Sequence, residues 1–351
     1  MSKFWSSAVK RSEAYVPGEQ LNETNIIKLN TNENPYPPSP KVIDAIKQEI
    51  GHELNLYPSP TVDELREDIA DFYNLAKENV FIGNGSDEVL AFSFMAFFEP
   101  GKTIRFPEIS YSFYPVYSKL FNIPFEKMEL KDDFTIRSED YFHSEGGVIF
   151  PNPNAPTSIY LDLKAVREIL EHNPNKLVIV DEAYIDFAKD SAVRLIEQYP
   201  NLLVVQTMSK SRSLAGLRVG FALGDAELIE GLVRIKDSFN SYTIDQLAIA
   251  GARAAIQDKT YFIETTNKVI TTRHWVADEL LKRDFRVLPS QTNFLFISHL
   301  DKDAESLYVK LKEKDILVRY FNQPKIDNYL RVTIGTDKEM KRFFSVLDAI
   351  E

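Results

Sequence analysis

Apolar residues follow two different spacings along the first two thirds of the chain. From residue 62 to residue 74 they recur every three or four positions, which predicts an amphipathic helix. Short uninterrupted apolar runs, typical of strands buried on both faces, follow at 80–82, 103–106, 147–150, 177–180, 202–206 and 218–223. Helical segments are predicted between most of these runs, notably at 161–172 and 191–198. This alternation predicts an α/β layer with a mainly parallel sheet.

The pattern changes after Gly224. Long periodic stretches there predict helices at 226–235, 244–256 and 259–283. Short strands are then predicted at 293–297, 316–319 and 329–334, with helices at 303–314 and 338–350. The second pattern is typical of a smaller α+β domain. We therefore expect an N-terminal arm contributing to the small domain, a large domain and a small C-terminal domain, at 1–30, 31–240 and 241–351.

Composition narrows the classes of function. The chain has 351 residues and a formal net charge of −11, which argues against a general nucleic-acid or anionic-membrane binder. The absence of cysteine excludes disulfides, thiolate metal sites and cysteine nucleophiles. The five histidines show no metal-ligand spacing, which argues against a metal enzyme. No apolar stretch has the length of a signal-peptide core or a membrane span, so we expect a soluble cytoplasmic enzyme.

Polar residues stand directly after four of the predicted strands. Open α/β sheets bind their ligands at the carboxyl ends of the strands, so these residues are the first candidates for a functional site. The four groups lie at 83–87, 151–154, 181–184 and 207–210. We expect all four groups to face one rim of the sheet.

Three of these residues have side chains suited to chemistry between an amine and a carbonyl group. Lys210 follows a buried strand among small hydroxyl residues, where a lysine loses its proton more readily and can form a Schiff base. Asp181 could pair with a pyridinium nitrogen and hold it protonated, so that the ring withdraws electrons. Tyr184 could hydrogen-bond a phenolic oxygen on the same ring. Taken singly, each residue also fits an ordinary role in an exposed loop, a helix cap or a half-buried position.

A second group of residues could hold a phosphate. Ser86 and Asp87 offer backbone N–H groups at the start of a predicted helix, and such helix starts bind anions. Thr207, Ser209 and Arg218 would add hydroxyl and guanidinium contacts to the same anion. The stretch at 83–88 is not a dinucleotide fingerprint, because a glutamate stands where the third glycine would be needed.

These motifs, in this order, resemble the fold-type I pyridoxal-phosphate-dependent aminotransferases. The stretch TMSKSRSLAGLRVG at 207–220 resembles that family's cofactor-lysine motif, and DEAY at 181–184 its strand-end aspartate and tyrosine. A narrower resemblance, to the histidinol-phosphate aminotransferases, is found at 29–40, 55–60, 83–88 and 330–336. The resemblance runs essentially from end to end. It implies an aspartate-aminotransferase-like fold, with a large domain around a mainly parallel mixed sheet and a smaller α+β domain.

The resemblance also implies a role for each matching residue. Pyridoxal 5′-phosphate would be linked to Lys210, its ring held by Asp181, Tyr184 and a stacked Tyr111. Its phosphate would be held by Ser86, Asp87, Thr207, Ser209 and Arg218. Tyr57 would reach that phosphate from the neighbouring subunit, which implies a homodimer with shared active sites. The substrate phosphate or carboxylate would be bound by Arg319 and Arg331, with help from Tyr15.

Two positions depart from the family pattern. The family turn asparagine-proline-threonine-glycine reads alanine-proline-threonine-serine at 155–158, so Ala155 stands where an asparagine would contact the phenolic oxygen. Asn154, one residue earlier, is the candidate replacement. At the phosphate turn, Ser86 replaces a smaller residue and could add a hydroxyl near the anion.

The implied reaction is a transamination between histidinol phosphate with 2-oxoglutarate and imidazole-acetol phosphate with glutamate, as in histidine biosynthesis. An aromatic or broad-range aminotransferase and a decarboxylase for phosphorylated amino acids are alternatives, since both would keep Lys210 and Asp181. A non-catalytic regulator that binds the cofactor is an alternative of another class. It would need an added DNA-binding module, and the sequence shows no helix-turn-helix extension.

Overall fold

A computed structural model describes residues 2–14 and 26–350, in which helices and strands alternate through most of the chain. The helices are α1 (Ser7–Arg11), α2 (Pro40–Glu49), α3 (Asp63–Tyr73), α4 (Gly85–Phe97), α5 (Phe113–Phe121), α6 (Leu163–Glu171), α7 (Ala226–Phe239), α8 (Gln246–Gln257), α9 (Lys259–Leu281), α10 (Ala304–Lys312) and α11 (Asp337–Leu347). The strands are β1 (Ile27–Lys28), β2 (Val80–Asn84), β3 (Ile104–Pro107), β4 (Phe125–Met128), β5 (Gly147–Pro151), β6 (Val178–Asp181), β7 (Leu202–Thr207), β8 (Val219–Gly224), β9 (Phe285–Val287), β10 (Phe294–His299), β11 (Ile316–Leu317), β12 (Arg319–Tyr320) and β13 (Leu330–Thr333).

The main sheet of the described chain has the strand order β2-β8-β7-β6-β5-β3-β4. Strands β3 to β7 pair in parallel, whereas β8 runs antiparallel to both of its neighbours. Every residue of β7 and β8 is buried, because hydrophobic clusters cover both faces of the sheet. Strands covered in this way read as continuous apolar runs, and for this reason the sequence pattern located them.

A second, smaller unit contains the antiparallel sheet β12-β13-β10-β9 and the parallel pair of β1 with β11. Its core is formed by α9, α10, α11 and these strands. Helix α8, however, packs its buried residues Ala248 and Ala252 into the core of the large sheet. We therefore propose that α8 belongs to the large domain, although it follows the predicted boundary at residue 240. The two domains would then divide within α9.

Several elements differ from the pattern-based prediction. Residues 191–198 hold only a short 3₁₀ turn, Ala192–Leu195, which Ser191 caps. Helices α2 and α5 and strand β4 were not predicted. The proline-rich arm at 31–40 stays non-helical as far as Ser39, whose side chain caps α2, and Pro40 is the first helical residue. A proline is tolerated there because the first N–H groups of a helix have no partner within it. No helix within residues 2–14 and 26–350 is both long and apolar enough to cross a membrane.

Tyr141 allows a test of the large core. It is 1% exposed, and its hydroxyl has no hydrogen-bond partner among the described residues. Because a buried hydroxyl without a partner keeps its desolvation cost, we expect Tyr141→Phe to raise the free energy of unfolding by about 1 kcal/mol, measured by urea denaturation.

Tyr117→Phe is the matched control, because that hydroxyl donates to the backbone oxygen of Asp87 at 2.9 Å. Removing a satisfied hydrogen bond should lower stability by about 1 kcal/mol. Destabilisation by both substitutions would show that the hydroxyl of Tyr141 has a stabilising contact.

Candidate active site

The carboxyl ends of β5, β6 and β7 meet at one rim of the main sheet, beside the start of α4. The cleft at this rim, called here the main cleft, contains nine of the residues predicted from the sequence: Ser86, Asp87, Tyr111, Asp181, Tyr184, Thr207, Ser209, Lys210 and Arg218. An adjoining outer cleft contains two further predicted residues, Arg319 and Arg331. Tyr111, Tyr184 and Lys210 line both clefts, so the two form one continuous site.

Lys210 projects its amine into the region where the two clefts meet. Its Nζ donates to the backbone oxygen of Thr31 at 3.4 Å and lies 5.8 Å from the centre of the Tyr184 ring. No ion pair found in the described chain includes Lys210. A lysine amine placed inside a cleft in this way can act as a nucleophile toward a bound carbonyl group.

Asp181 is the last residue of β6 and is 4% exposed. Burial raises the pKa of its carboxyl group to about 6, although two hydrogen bonds oppose the shift. The hydroxyl of Tyr114 donates to Oδ2 at 2.8 Å, and the backbone N–H of Ala183 donates to Oδ1 at 3.3 Å. A buried carboxylate with neutral partners favours a cationic ligand, because the ligand's charge would offset the cost of burial.

The anion-binding end of the main cleft is formed by the start of α4. Gly85 has a φ of +79°, a left-handed conformation that glycine adopts without strain. A side chain at Gly220 would collide with the backbone of Ser86, so glycine there lets β8 lie directly against the start of the helix. Arg218 pairs with Asp87 at 3.0 Å. The first N–H groups of the helix, this guanidinium and nearby hydroxyls together provide donors for a phosphate.

Two hydroxyls and a tyrosine complete the main cleft. The hydroxyl of Thr207 donates to that of Ser209 at 3.0 Å. Tyr111 donates to Asp87 Oδ1 at 2.6 Å, and burial raises the pKa of this phenol far above its ordinary range. Tyr111 therefore stays neutral and presents the wall of an aromatic ring.

The outer cleft is formed by the antiparallel pair β12 and β13, in which Arg319 lies opposite Arg331. The two guanidinium groups each lie 5.6 Å from the ring centre of Phe321. Arg331 also donates to the backbone oxygen of Asn30 at 2.8 Å. Two adjacent arginines at the mouth of a cleft provide the planar, bidentate donors that phosphates and carboxylates bind.

Two of the predicted residues do not line this site, and a third lies outside the described residues. Asn154 was expected to replace the missing asparagine, but its Nδ2 already donates to Ile109 O and Thr157 Oγ1, each at 2.9 Å. Both amide hydrogens of Asn154 are thus used within the protein, and Ala155 rather than Asn154 lines the cleft. Tyr57 stacks on Tyr242 away from both clefts and is 80% exposed. Tyr15 lies outside the described residues.

Sequence reasoning missed three residues that support the site. Tyr114 holds Asp181, as described above. Asn32 donates to the hydroxyl of Tyr184 at 2.9 Å, and Asn34 donates to the backbone oxygen of Lys210 at 3.0 Å. The two asparagines lie in the proline-rich arm at 31–40. The signal that the sequence offered for them was the presence of polar side chains in a segment predicted to be non-helical.

The chain belongs to the aminotransferase class I and II family, whose sequence profile matches residues 24–347. It is 61% identical over 350 residues to histidinol-phosphate aminotransferase 1 of Oceanobacillus iheyensis, covering 100% of this chain and 99% of the relative. A histidinol-phosphate aminotransferase of Clostridium botulinum is 57% identical, with the same coverage of both chains. The prediction of an aminotransferase is thus confirmed.

Solved structures agree on the fold. The histidinol-phosphate aminotransferase of Sinorhizobium meliloti, in complex with pyridoxal-5′-phosphate, superposes with a TM-score of 0.89 and 22% identity, over 100% of this chain and 98% of that chain. An aspartate aminotransferase mutant of Thermus thermophilus superposes with a TM-score of 0.83 and 14% identity, over 100% of both chains. The predicted aspartate-aminotransferase-like fold is confirmed.

Proposed function

We propose that this chain is a pyridoxal-phosphate-dependent transaminase that interconverts histidinol phosphate with 2-oxoglutarate and imidazole-acetol phosphate with glutamate. The observation that carries the proposal is one continuous site in which the amine of Lys210, the buried carboxylate of Asp181 and an anion cradle adjoin a pair of arginines. The names of relatives 57–61% identical over the full chain support the choice of substrate.

The donors and acceptors of the main cleft fit the cofactor group by group. Its aldehyde needs an amine, which is Lys210. Its ring nitrogen needs a negative partner, and Asp181 is a buried carboxylate that makes no ion pair with the other described residues. Its phosphate needs several donors, which the start of α4 provides with Thr207, Ser209 and Arg218.

Each residue of the main cleft has a separate role in the proposed reaction. When bound, pyridoxal phosphate supplies a ring that withdraws electrons from the Cα of the amino donor. Lys210 accepts the Cα proton at Nζ and returns a proton as the amino group is transferred. Asp181 would hold a negative charge beside the ring nitrogen, Tyr184 would donate a hydrogen bond to the phenolic oxygen, and Tyr111 would form one wall.

The two arginines of the outer cleft bind the anionic end of either substrate. Histidinol phosphate carries a phosphate and glutamate a distal carboxylate, and both groups accept paired N–H donors from a guanidinium. Arg319 and Arg331 therefore suit both halves of the reaction without moving the substrate's reacting carbon. Tyr15 is proposed to assist them.

We also propose that the enzyme works as a cytoplasmic homodimer with shared active sites. Tyr57 does not line the main cleft of its own chain and instead stacks on Tyr242 outside both clefts. Exposed apolar residues are close to this tyrosine pair in the chain: Leu54 and Leu56 precede Tyr57, and Phe239 precedes Tyr242. A second copy covering this surface would bury them and could bring Tyr57 to the partner's phosphate site.

The substrate proposal is tested by comparing keto acceptors at fixed glutamate. We expect a higher kcat/KM with imidazole-acetol phosphate than with phenylpyruvate. A clear preference for phenylpyruvate would favour the aromatic aminotransferase instead.

Substituting Arg331 tests the outer cleft. We expect Arg331→Gln to lower kcat/KM for imidazole-acetol phosphate by roughly 10²-fold, because the substrate phosphate loses a charged bidentate donor. The loss should lie mainly in KM, measured by steady-state kinetics. Arg286→Gln is the matched control, since Arg286 is an exposed arginine on β9 of the same sheet. Equal losses in the two variants would mean that the effect is not specific to the cleft.

A further inference from the structure

Asn32 joins the proline-rich arm at 31–40 to the Tyr184 hydroxyl. Its Nδ2 lies 2.9 Å from the Tyr184 oxygen, although the two residues are 152 positions apart in the chain. Asn32 is 1% exposed, and its other polar atoms contact the small unit. Its backbone N–H donates to Thr333 Oγ1 at 3.1 Å, and its Oδ1 accepts from the same hydroxyl at 3.0 Å.

The contacts with Thr333 fix which way the Asn32 amide faces. Thr333 is buried, and Asn32 Oδ1 is the acceptor that its hydroxyl proton finds among the described residues. Turning the amide over would remove that acceptor and leave a buried hydroxyl proton unsatisfied, which is unfavourable. The nitrogen of the amide therefore faces Tyr184 and donates to its hydroxyl oxygen.

This donation determines where the Tyr184 proton points. A phenol has one proton, and Asn32 occupies an acceptor position on the oxygen rather than taking that proton. The hydroxyl is then left to donate elsewhere, and Tyr184 lines the main cleft beside Lys210. A hydroxyl that already accepts a hydrogen bond is also polarised into a stronger donor.

Position 32 suits asparagine for a second reason. The residue has a φ of +59°, in the left-handed region, which asparagine adopts more readily than most residues with a side chain. In that conformation the backbone N–H and the amide oxygen both face Thr333, while the amide nitrogen faces Tyr184.

We infer that Asn32 is a positioning residue that directs the Tyr184 proton into the cleft, toward the phenolic oxygen of the cofactor. The inference rests on the proposed role of Tyr184. It addresses the departure at Ala155, whose methyl group lines the cleft and offers no donor. The resemblance implies that the family has two donors to that oxygen, an asparagine and a tyrosine. This chain keeps the tyrosine, Tyr184, and Asn32 orients its hydroxyl.

Strand β13 connects the Asn32–Tyr184 contact to the proposed substrate-binding site through Thr333 and Arg331. Both residues lie on β13, two positions apart, so their side chains leave the strand on the same face. The strand that carries an anion-binding arginine in the outer cleft thus also anchors the amide that orients Tyr184.

The inference is tested by a spectroscopic titration of the loaded enzyme, which requires no substrate. The visible absorption band changes with pH as the nitrogen linking Lys210 to the cofactor loses its proton. A donor to the phenolic oxygen favours that loss, because it stabilises the negative charge that otherwise holds the proton. We expect Asn32→Ala to raise the midpoint by about one pH unit, corresponding to one weakened hydrogen bond.

Tyr184→Phe separates this inference from the function on which it rests. Tyr184→Phe should itself raise the midpoint, and adding Asn32→Ala to it should shift the midpoint no further. An unchanged midpoint in Tyr184→Phe would overturn the proposed role of Tyr184. A shift in Tyr184→Phe without one in Asn32→Ala, or an Asn32→Ala shift that persists in the double variant, would overturn the role of Asn32.

Two further variants guard against a general effect on folding. Thr333→Val frees the amide without touching Tyr184, and we expect a smaller midpoint shift in the same direction; no shift in both this variant and Asn32→Ala would contradict the inference. Asn173→Ala is the matched control, because Asn173 is a buried asparagine that donates to the backbone oxygens of Tyr141 and Ile169, away from both clefts. It should lower the melting temperature and leave the midpoint unchanged, and an equal shift there would overturn the assignment to Asn32.

Discussion

Replacing Lys210 by alanine lowers the transaminase kcat/KM by roughly 10⁴-fold or more, because one side chain provides both the nucleophile and the proton carrier. The nucleophile and the proton carrier are lost together, because no other amine lines the main cleft described by the structure. The fold should be unaffected: Nζ makes one long hydrogen bond, at 3.4 Å, to the Thr31 backbone oxygen. Steady-state kinetics and a thermal melt measure the two expectations.

Lys189→Ala is the matched control, because Lys189 is an exposed lysine whose side chain is 67% accessible and pairs only loosely with Asp162, at 3.8 Å. Its activity should equal that of the unaltered enzyme. Borohydride reduction should also trap the cofactor on the peptide that contains Lys210, and Lys210→Ala should trap none there. A protein that stayed colourless with added pyridoxal phosphate would favour the non-catalytic alternative, and a fully active Lys210→Ala variant would refute the proposed reaction.

Replacing Asp181 by asparagine should lower kcat by roughly 10²- to 10³-fold, because a neutral amide cannot hold the ring nitrogen protonated by its charge. Asparagine has nearly the same shape, so the loss reports the charge rather than the packing. The affinity of the apoenzyme for pyridoxal phosphate should fall as well, which a fluorescence titration measures. Unchanged kcat in Asp181→Asn would show that the ring nitrogen needs no anionic partner in this protein.

The same substitution should change how stability depends on pH in the apoenzyme. Burial raises the pKa of Asp181 to about 6 in the folded protein, above its value in the unfolded chain, so the folded state binds more protons between these values. Its ionisation therefore costs stability as pH rises from about 4 to about 6, and the cost persists above that range. Relative to the unaltered apoenzyme, the free energy of unfolding of Asp181→Asn should increase by about 3 kcal/mol as the pH rises over this range.

Asp258→Asn is the control for losing a buried aspartate. Asp258 accepts hydrogen bonds from Ser39 and Lys41, and those bonds, the Ser39 bond first, lower the pKa of its carboxyl group. Its stabilising effect is present above the unfolded pKa and is lost as pH falls, so this variant should lose stability at neutral pH. Urea denaturation of both apoenzymes across this range distinguishes the two directions, and a parallel response would contradict the assignment of the gain to Asp181.

Much of the active site could be predicted because its residues follow buried strands. Lys210 and Asp181 each stand at or just after the end of an apolar run, and parallel strands bring such ends to one rim. The direction in which the Asn154 side chain points could not be predicted in this way. It lies in a loop, where a shift of one residue decides whether a side chain faces the cleft or the neighbouring backbone, and no periodicity fixes that choice.

The domain division shows a similar limit. The apolar periodicity of α8 locates the helix to within two residues, but it does not say which of two cores the apolar face meets. The structure places that face against the large sheet.

The sequence by itself determined the α/β class and the places of the main strands, and it singled out Lys210, Asp181 and Tyr184 as candidates, because periodicity and residue type are local properties. Tertiary structure decided which distant residues meet. It set Arg319 beside Arg331 across a strand pair and Tyr114 against Asp181. It also set Asn32 between Thr333 and Tyr184. Such contacts depend on how separate elements pack, and each one orders groups far apart in the chain, so no short stretch of sequence encodes them.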